Sequence, residues 1–64
     1  MHTILHTDDG IYVGLWLKLP NDQGGGDRFH KLLKAPNAFV AVTVVNMLNG
    51  GRFSRIALDT CEWL

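Results

Sequence analysis

Between Ile11 and Leu19 the chain alternates: Ile11, Val13, Leu15, Leu17 and Leu19 fall on one side, and Tyr12, Gly14, Trp16 and Lys18 on the other. A period of two is the mark of a pleated strand with one buried face. Pro20 ends the run, because proline has no N–H to give to a ladder. Upstream, residues 3–7 form a short apolar and β-branched stretch, joined to the first by Asp8-Asp9-Gly10. An Asp-Gly pair supplies the positive φ of a tight turn, so the two runs read as a hairpin. A three-residue loop with Gly10 in a bulge sets Leu5 opposite Val13, with His6 beside Tyr12 and His2 near Trp16. A two-residue Asp9-Gly10 turn instead sends His6 to the apolar face. The first register is preferred, since it avoids burying an imidazole without a partner.

Residues 20–26, Pro-Asn-Asp-Gln-Gly-Gly-Gly, read as a flexible connector. Asp27 then has the look of a helix N-cap: Phe29, Leu32 and Leu33 gather on one side, and Arg28, Lys31 and Lys34 on the other. Ala35-Pro36 closes this two-turn helix, because the residue before proline avoids the α region. Phe39 to Val45 is almost wholly β-branched or apolar, Asn49-Gly50 is a hairpin turn, and Arg52 to Thr60 returns as a second strand. The expected fold is therefore α+β, in the order β-β-α-β-β. It forms a single domain over residues 1–64, with one short helix on an antiparallel sheet or a small open barrel.

No charged residue lies between Lys34 and Arg52, so the strand expected there is apolar on both faces. One short helix shelters only one of them, and soluble monomers rarely leave a large apolar patch bare. A chain of 64 residues also sits near the limit of independent stability. Small domains compensate with disulfides, a metal or association. The single Cys61 forms no internal disulfide, and no Cys/His spacing fits a structural zinc site. Association remains: a homodimer or higher oligomer, with Val40, Val42, Val44 and Phe53 at the interface.

Net charge is zero, but its distribution is uneven. Asp8, Asp9 and Asp22 outweigh Lys18 in residues 1–26; Arg28, Lys31, Lys34, Arg52 and Arg55 outweigh Asp27 in residues 27–55; Asp59 and Glu62 follow. No apolar run approaches the ~20 residues of a membrane span. No basic-then-apolar leader opens the chain, and one cysteine suits a reducing compartment, so a cytoplasmic setting is expected.

The chemistry-bearing residues form no familiar constellation. Gly24-Gly25-Gly26 before a helix invites phosphate, yet the Lys and Ser/Thr of a phosphate loop are missing and Asp27 repels an anion. Arg28, Lys31, Lys34, Arg52 and Arg55 make one anion-binding strip if the helix and second hairpin lie side by side. His2, His6, Tyr12 and Trp16 share an outer face around Gly14, where a glycine leaves a notch for a ligand or partner side chain. His30 has no carboxylate or nucleophile locally placed to complete a site. No catalytic residue, metal ligand or cofactor is assigned.

The expected function is a small non-catalytic oligomeric binding or adaptor module whose partners are itself and another protein. The first alternative is nucleic-acid binding through the basic strip. The second is a small enzyme with a histidine-containing site, His30 or His6 with Asp27, at a subunit interface.

Overall fold

In the computed structural model, which describes all 64 residues, the first hairpin forms where the alternation places it: β1 (Thr3–Thr7) and β2 (Gly10–Lys18) are antiparallel. The turn is Asp8-Asp9, with Thr7 opposite Gly10, Leu5 opposite Tyr12 and Ile4 opposite Val13. Neither register read from the sequence has this pairing. The Thr7 hydroxyl donates to the Asp9 carboxylate and to the Gly10 carbonyl, closing the turn one residue earlier.

The helix expected over residues 27–35 is instead a third strand, β3 (Asp27–Ala35), antiparallel to β2 with Lys18 opposite Asp27. Residues 19–26 are thus a hairpin loop rather than a flexible connector. A 3-10 turn (Asn21–Gln23) folds back, the Leu19 N–H donates to the Gly26 carbonyl at 2.8 Å, and Gly24, Gly25 and Gly26 all carry positive φ. Three consecutive left-handed residues are open to glycine and costly to anything else, and this converts the glycine run from a linker into a turn. Once the loop brings 27–35 alongside β2, ladder pairing outweighs the weak preference of two turns for the helix.

The strand expected from Phe39 is a helix, α1 (Ala38–Leu48). Asn37 caps it, its side chain accepting from the Val40 N–H at 2.9 Å. The Asn49-Gly50 pair is a helix terminus, not a hairpin. The Gly50 N–H reaches the Met47 carbonyl (3.2 Å), the Gly51 N–H reaches the Asn46 carbonyl (2.8 Å), and Gly50 has φ +99°, which together make a Schellman cap. The second expected strand is largely α2 (Arg55–Asp59), capped by Ser54, whose hydroxyl accepts from Ala57 N–H at 3.3 Å. The tail docks as β4 (Glu62–Trp63), pairing with Lys34 and Leu33 of β3.

The chain is therefore α+β, a four-stranded antiparallel sheet in the order β1-β2-β3-β4 with one longer and one short helix. The sheet is open rather than a closed barrel, and the element order is β-β-β-α-α-β. The helices cover one face only. Val13, Leu33 and Ala35 from that face meet Ala41 and Val44 of α1 and Ala57 of α2, with Ile4, Ile11, Val45 and Leu48 around them. No helix is long and apolar enough to cross a membrane.

Candidate interaction surface

Strand alternation sends Tyr12, Gly14, Trp16 and Lys18 of β2 to the sheet face away from the helices. Their β3 partners Lys34, Lys31, Phe29 and Asp27 go with them. A bulge between Val13 and Gly14 makes Leu32 the extra residue on β3. Phe29 and Lys31 thereby join this face while Leu33 and Ala35 stay in the core. Helical spacing puts Phe29 on one side of a helix with Leu32 and Leu33; as a strand residue it becomes the neighbour of Trp16.

Two clusters result. Tyr12 is covered, with the Lys31 ammonium 4.1 Å and that of Lys34 5.9 Å from its ring centroid. Such cation–π contacts place positive charge over the electron-rich face of the ring. The Tyr12 hydroxyl donates to Asp9 at 3.1 Å. Hydrogen bonds from Thr7 and Tyr12 hold the Asp9 carboxyl below the usual aspartate value. Loss of water around the Tyr12 phenol, then the adjacent Asp9, push that group above the usual tyrosine value. Farther along, Trp16 and Phe29 meet edge-to-face, centroids 5.2 Å apart at 73°.

Gly14 does not open a notch. A Cβ there would overlap the His30 carbonyl and touch Phe29, so the space is filled by the neighbouring strand. His6 pairs with Ile11 on the helix-side face, where it stays exposed at the strand end. His2 turns toward α1: its N–H donates to the Asn49 side chain at 2.8 Å and its carbonyl accepts from the same amide at 3.0 Å. Of the five residues expected around a notch, Tyr12, Gly14 and Trp16 share a face and the two histidines leave it.

The basic residues divide likewise. Lys31 and Lys34 flank Tyr12; Arg28 lies opposite Leu17 on the other face; Arg52 follows α1, and Arg55 opens α2, 3.8 Å from Asp59 across an exposed helical turn. They form no single strip, because the segments carrying them are a strand and a helix on different layers. His30 lies opposite Leu15 and is exposed. Of the four valine and phenylalanine residues assigned to an interface, Val44 is fully buried in the core and Val40 packs against it, while Val42 and Phe53 stay exposed. The correction is physical: a helix turns one stripe of the segment onto the sheet, where a strand would have left a whole face bare.

The sheet's outer part is an arm. β1 reaches only to Gly14 of β2, and β4 touches only Leu33 and Lys34 of β3. Residues 15–18 and 27–30 therefore run on as two strands. Trp16 is 56% and Leu17 44% exposed, and neither Leu15 nor Leu17 joins the core cluster. Phe39 and Ile56 add exposed apolar area on the helical layer. An open hollow of about 210 Å³ lies among Lys34, Ala35, Pro36, Thr60 and Glu62. No three His, Cys, Asp or Glu side chains come together as metal ligands would. No family model matches the chain, and neither the curated proteins nor the solved structures contain a match.

Proposed function

We propose that this chain is a small non-catalytic binding module, working in the cytoplasm as a homo-oligomer in which a second copy covers apolar surface that the fold leaves open. The observation that carries this reading is the amount of surface. The chain exposes 4647 Å², whereas a folded monomer of its 7.1 kDa mass is expected to expose about 4,080 Å². Its radius of gyration is 12.8 Å against about 10.7 Å for a compact domain of this length. The excess is rich in large apolar side chains: Trp16, Leu17, Phe39, Val42, Phe53 and Ile56. Cys61, half-buried and without a disulfide partner, suits a reducing compartment. Light scattering on the eluting protein tests the reading: twice the chain mass is expected, and a single-chain mass throughout contradicts it.

One observation favours a second reading, binding of single-stranded nucleic acid. Trp16 and Phe29 lie on one open sheet face with Lys18, Lys31 and Lys34, as aromatic rings and cations do where bases stack and phosphates pair. Asp9, Asp27 and Glu62 on or beside that face offset the lysines, and Lys31 occupies the Tyr12 ring. Salt-dependent retention on immobilised single-stranded DNA would support this reading; flow-through at low salt would remove it.

A further inference from the structure

We infer that two copies of this chain join edge to edge through residues 15–18 of β2, making one antiparallel sheet continuous across the pair. This rests on the homo-oligomer reading above and names its interface.

The backbone supplies the first ground. The Leu19 N–H bonds to the Gly26 carbonyl, so Leu19 and Gly26 are a hydrogen-bonded pair. Alternation along an antiparallel ladder then makes Leu17/Arg28 and Leu15/His30 hydrogen-bonded pairs. The backbone groups of Trp16 and Lys18 consequently point away from β3. β1 would meet them if it continued, but it stops at Thr3 opposite Gly14, and His2 is drawn off to Asn49. That edge is bare.

The side chains distinguish the two edges of the arm. The β3 edge carries Asp27, Arg28, His30 and Lys31, the charges by which proteins blunt an edge against pairing. The β2 edge reads Leu-Trp-Leu-Lys, with one charge at its end. A two-stranded ribbon by itself is marginal in water, and a further strand on the β2 side gives it company.

Register follows from what each alternative meets. With Leu17 on the two-fold axis, Trp16 lies opposite Lys18 of the second copy, the outward N–H and C=O groups pair reciprocally, and the indole meets an ammonium. A step toward the hinge runs the second copy into β1 beside Gly14. A step toward the tip sets Pro20, which has no N–H, opposite Trp16.

The test combines light scattering with amide hydrogen exchange on the wild type, Lys18→Pro, Lys18→Ala and Ile56→Glu. The wild type is expected to dimerise, with the Trp16 and Lys18 amides exchanging more slowly as concentration rises. Lys18→Ala gives up only the ammonium facing Trp16 and is expected to weaken the dimer modestly; Lys18→Pro also removes one outward N–H per copy and is expected to weaken it at least about 30-fold further, while Ile56→Glu leaves it dimeric. A Lys18→Pro dimer of undiminished affinity, or dissociation by Ile56→Glu alone, places the contact on the helices and overturns the edge pairing while the homo-oligomer reading stands. A wild type that is monomeric at every concentration overturns both, and a foreign strand is then the occupant to seek. Should Lys18→Pro unfold, the wild-type amides decide alone: protection that tracks concentration upholds the pairing, and its absence in a dimer refutes it.

Discussion

Leu33, Val13 and Val44 carry the core, being its largest fully buried side chains. Truncating Leu33 to alanine leaves a cavity that so small a core cannot close, and a loss of about 2–5 kcal/mol in urea denaturation is expected. Gly14→Ala is expected to cost about 1–3 kcal/mol in the same measurement, because the new methyl meets the backbone carbonyl of His30 and not a yielding side chain. Asp9 makes a prediction in pH. Its folded-state pKa lies below the ordinary aspartate value, owing first to the Thr7 hydroxyl and then to Tyr12. Its contribution to stability is thus present above the unfolded-state value and is lost as pH falls through the folded-state one. Carboxyl titration by NMR should give Asp9 a midpoint below that of an aspartate in a short unstructured peptide, and Asp9→Asn should remove this part of the acid response. An Asp9 midpoint at the ordinary aspartate value would refute the hydrogen-bonded turn.

At the scale of elements, legibility follows the reach of each signal. The β1-β2 hairpin is written locally in the alternation of Ile11 to Leu19, and it stands where the pattern puts it. Its register is not, because it turns on the Thr7 hydroxyl contacts to Asp9 and Gly10. The β3 segment misleads because Phe29, Leu32 and Leu33 have helical spacing, and a strand accounts for the same residues only with a bulge at Leu32, which sends Phe29 and Lys31 to the outer face and Leu33 to the core. The valine-rich segment misleads in the opposite sense. β-branching costs a helix only tenths of a kcal/mol per residue, and Val40, Ala41, Val44, Val45 and Leu48 recur at helical spacing behind the Asn37 cap. Asn49-Gly50 is the same dipeptide in a hairpin and in a Schellman cap, and only the preceding residues tell which. The candidate surface is legible to the same degree: Tyr12, Gly14 and Trp16 share a face through the local alternation of β2, while Phe29 joins them only through the bulged pairing of β3, which no local pattern shows. Asn37→Ala and Ser54→Ala are each expected to cost about 1 kcal/mol in thermal or urea unfolding, since each removes the acceptor of a helix-start N–H. Unchanged stability in both would mean that the caps do not hold these helices.

For the whole molecule, the relation of core to surface governs. Eight of 64 residues are buried, so the isolated fold stands on little hydrophobic gain, and a mate that binds only the folded form raises its stability by mass action. The melting temperature is therefore expected to rise with protein concentration; a constant value across the dissociation range would contradict this. Cys61 adds no covalent support. Burial pushes its thiol up, and Sγ lies 3.3 Å from the Ala57 carbonyl, so slow reaction with a thiol reagent at neutral pH is expected. Sedimentation equilibrium across the micromolar range addresses the central claim most directly. A mass that climbs with concentration to twice 7.1 kDa is expected. A mass fixed at that of one chain throughout would mean that the arm and its apolar edge stay in water, and the account of association would be wrong.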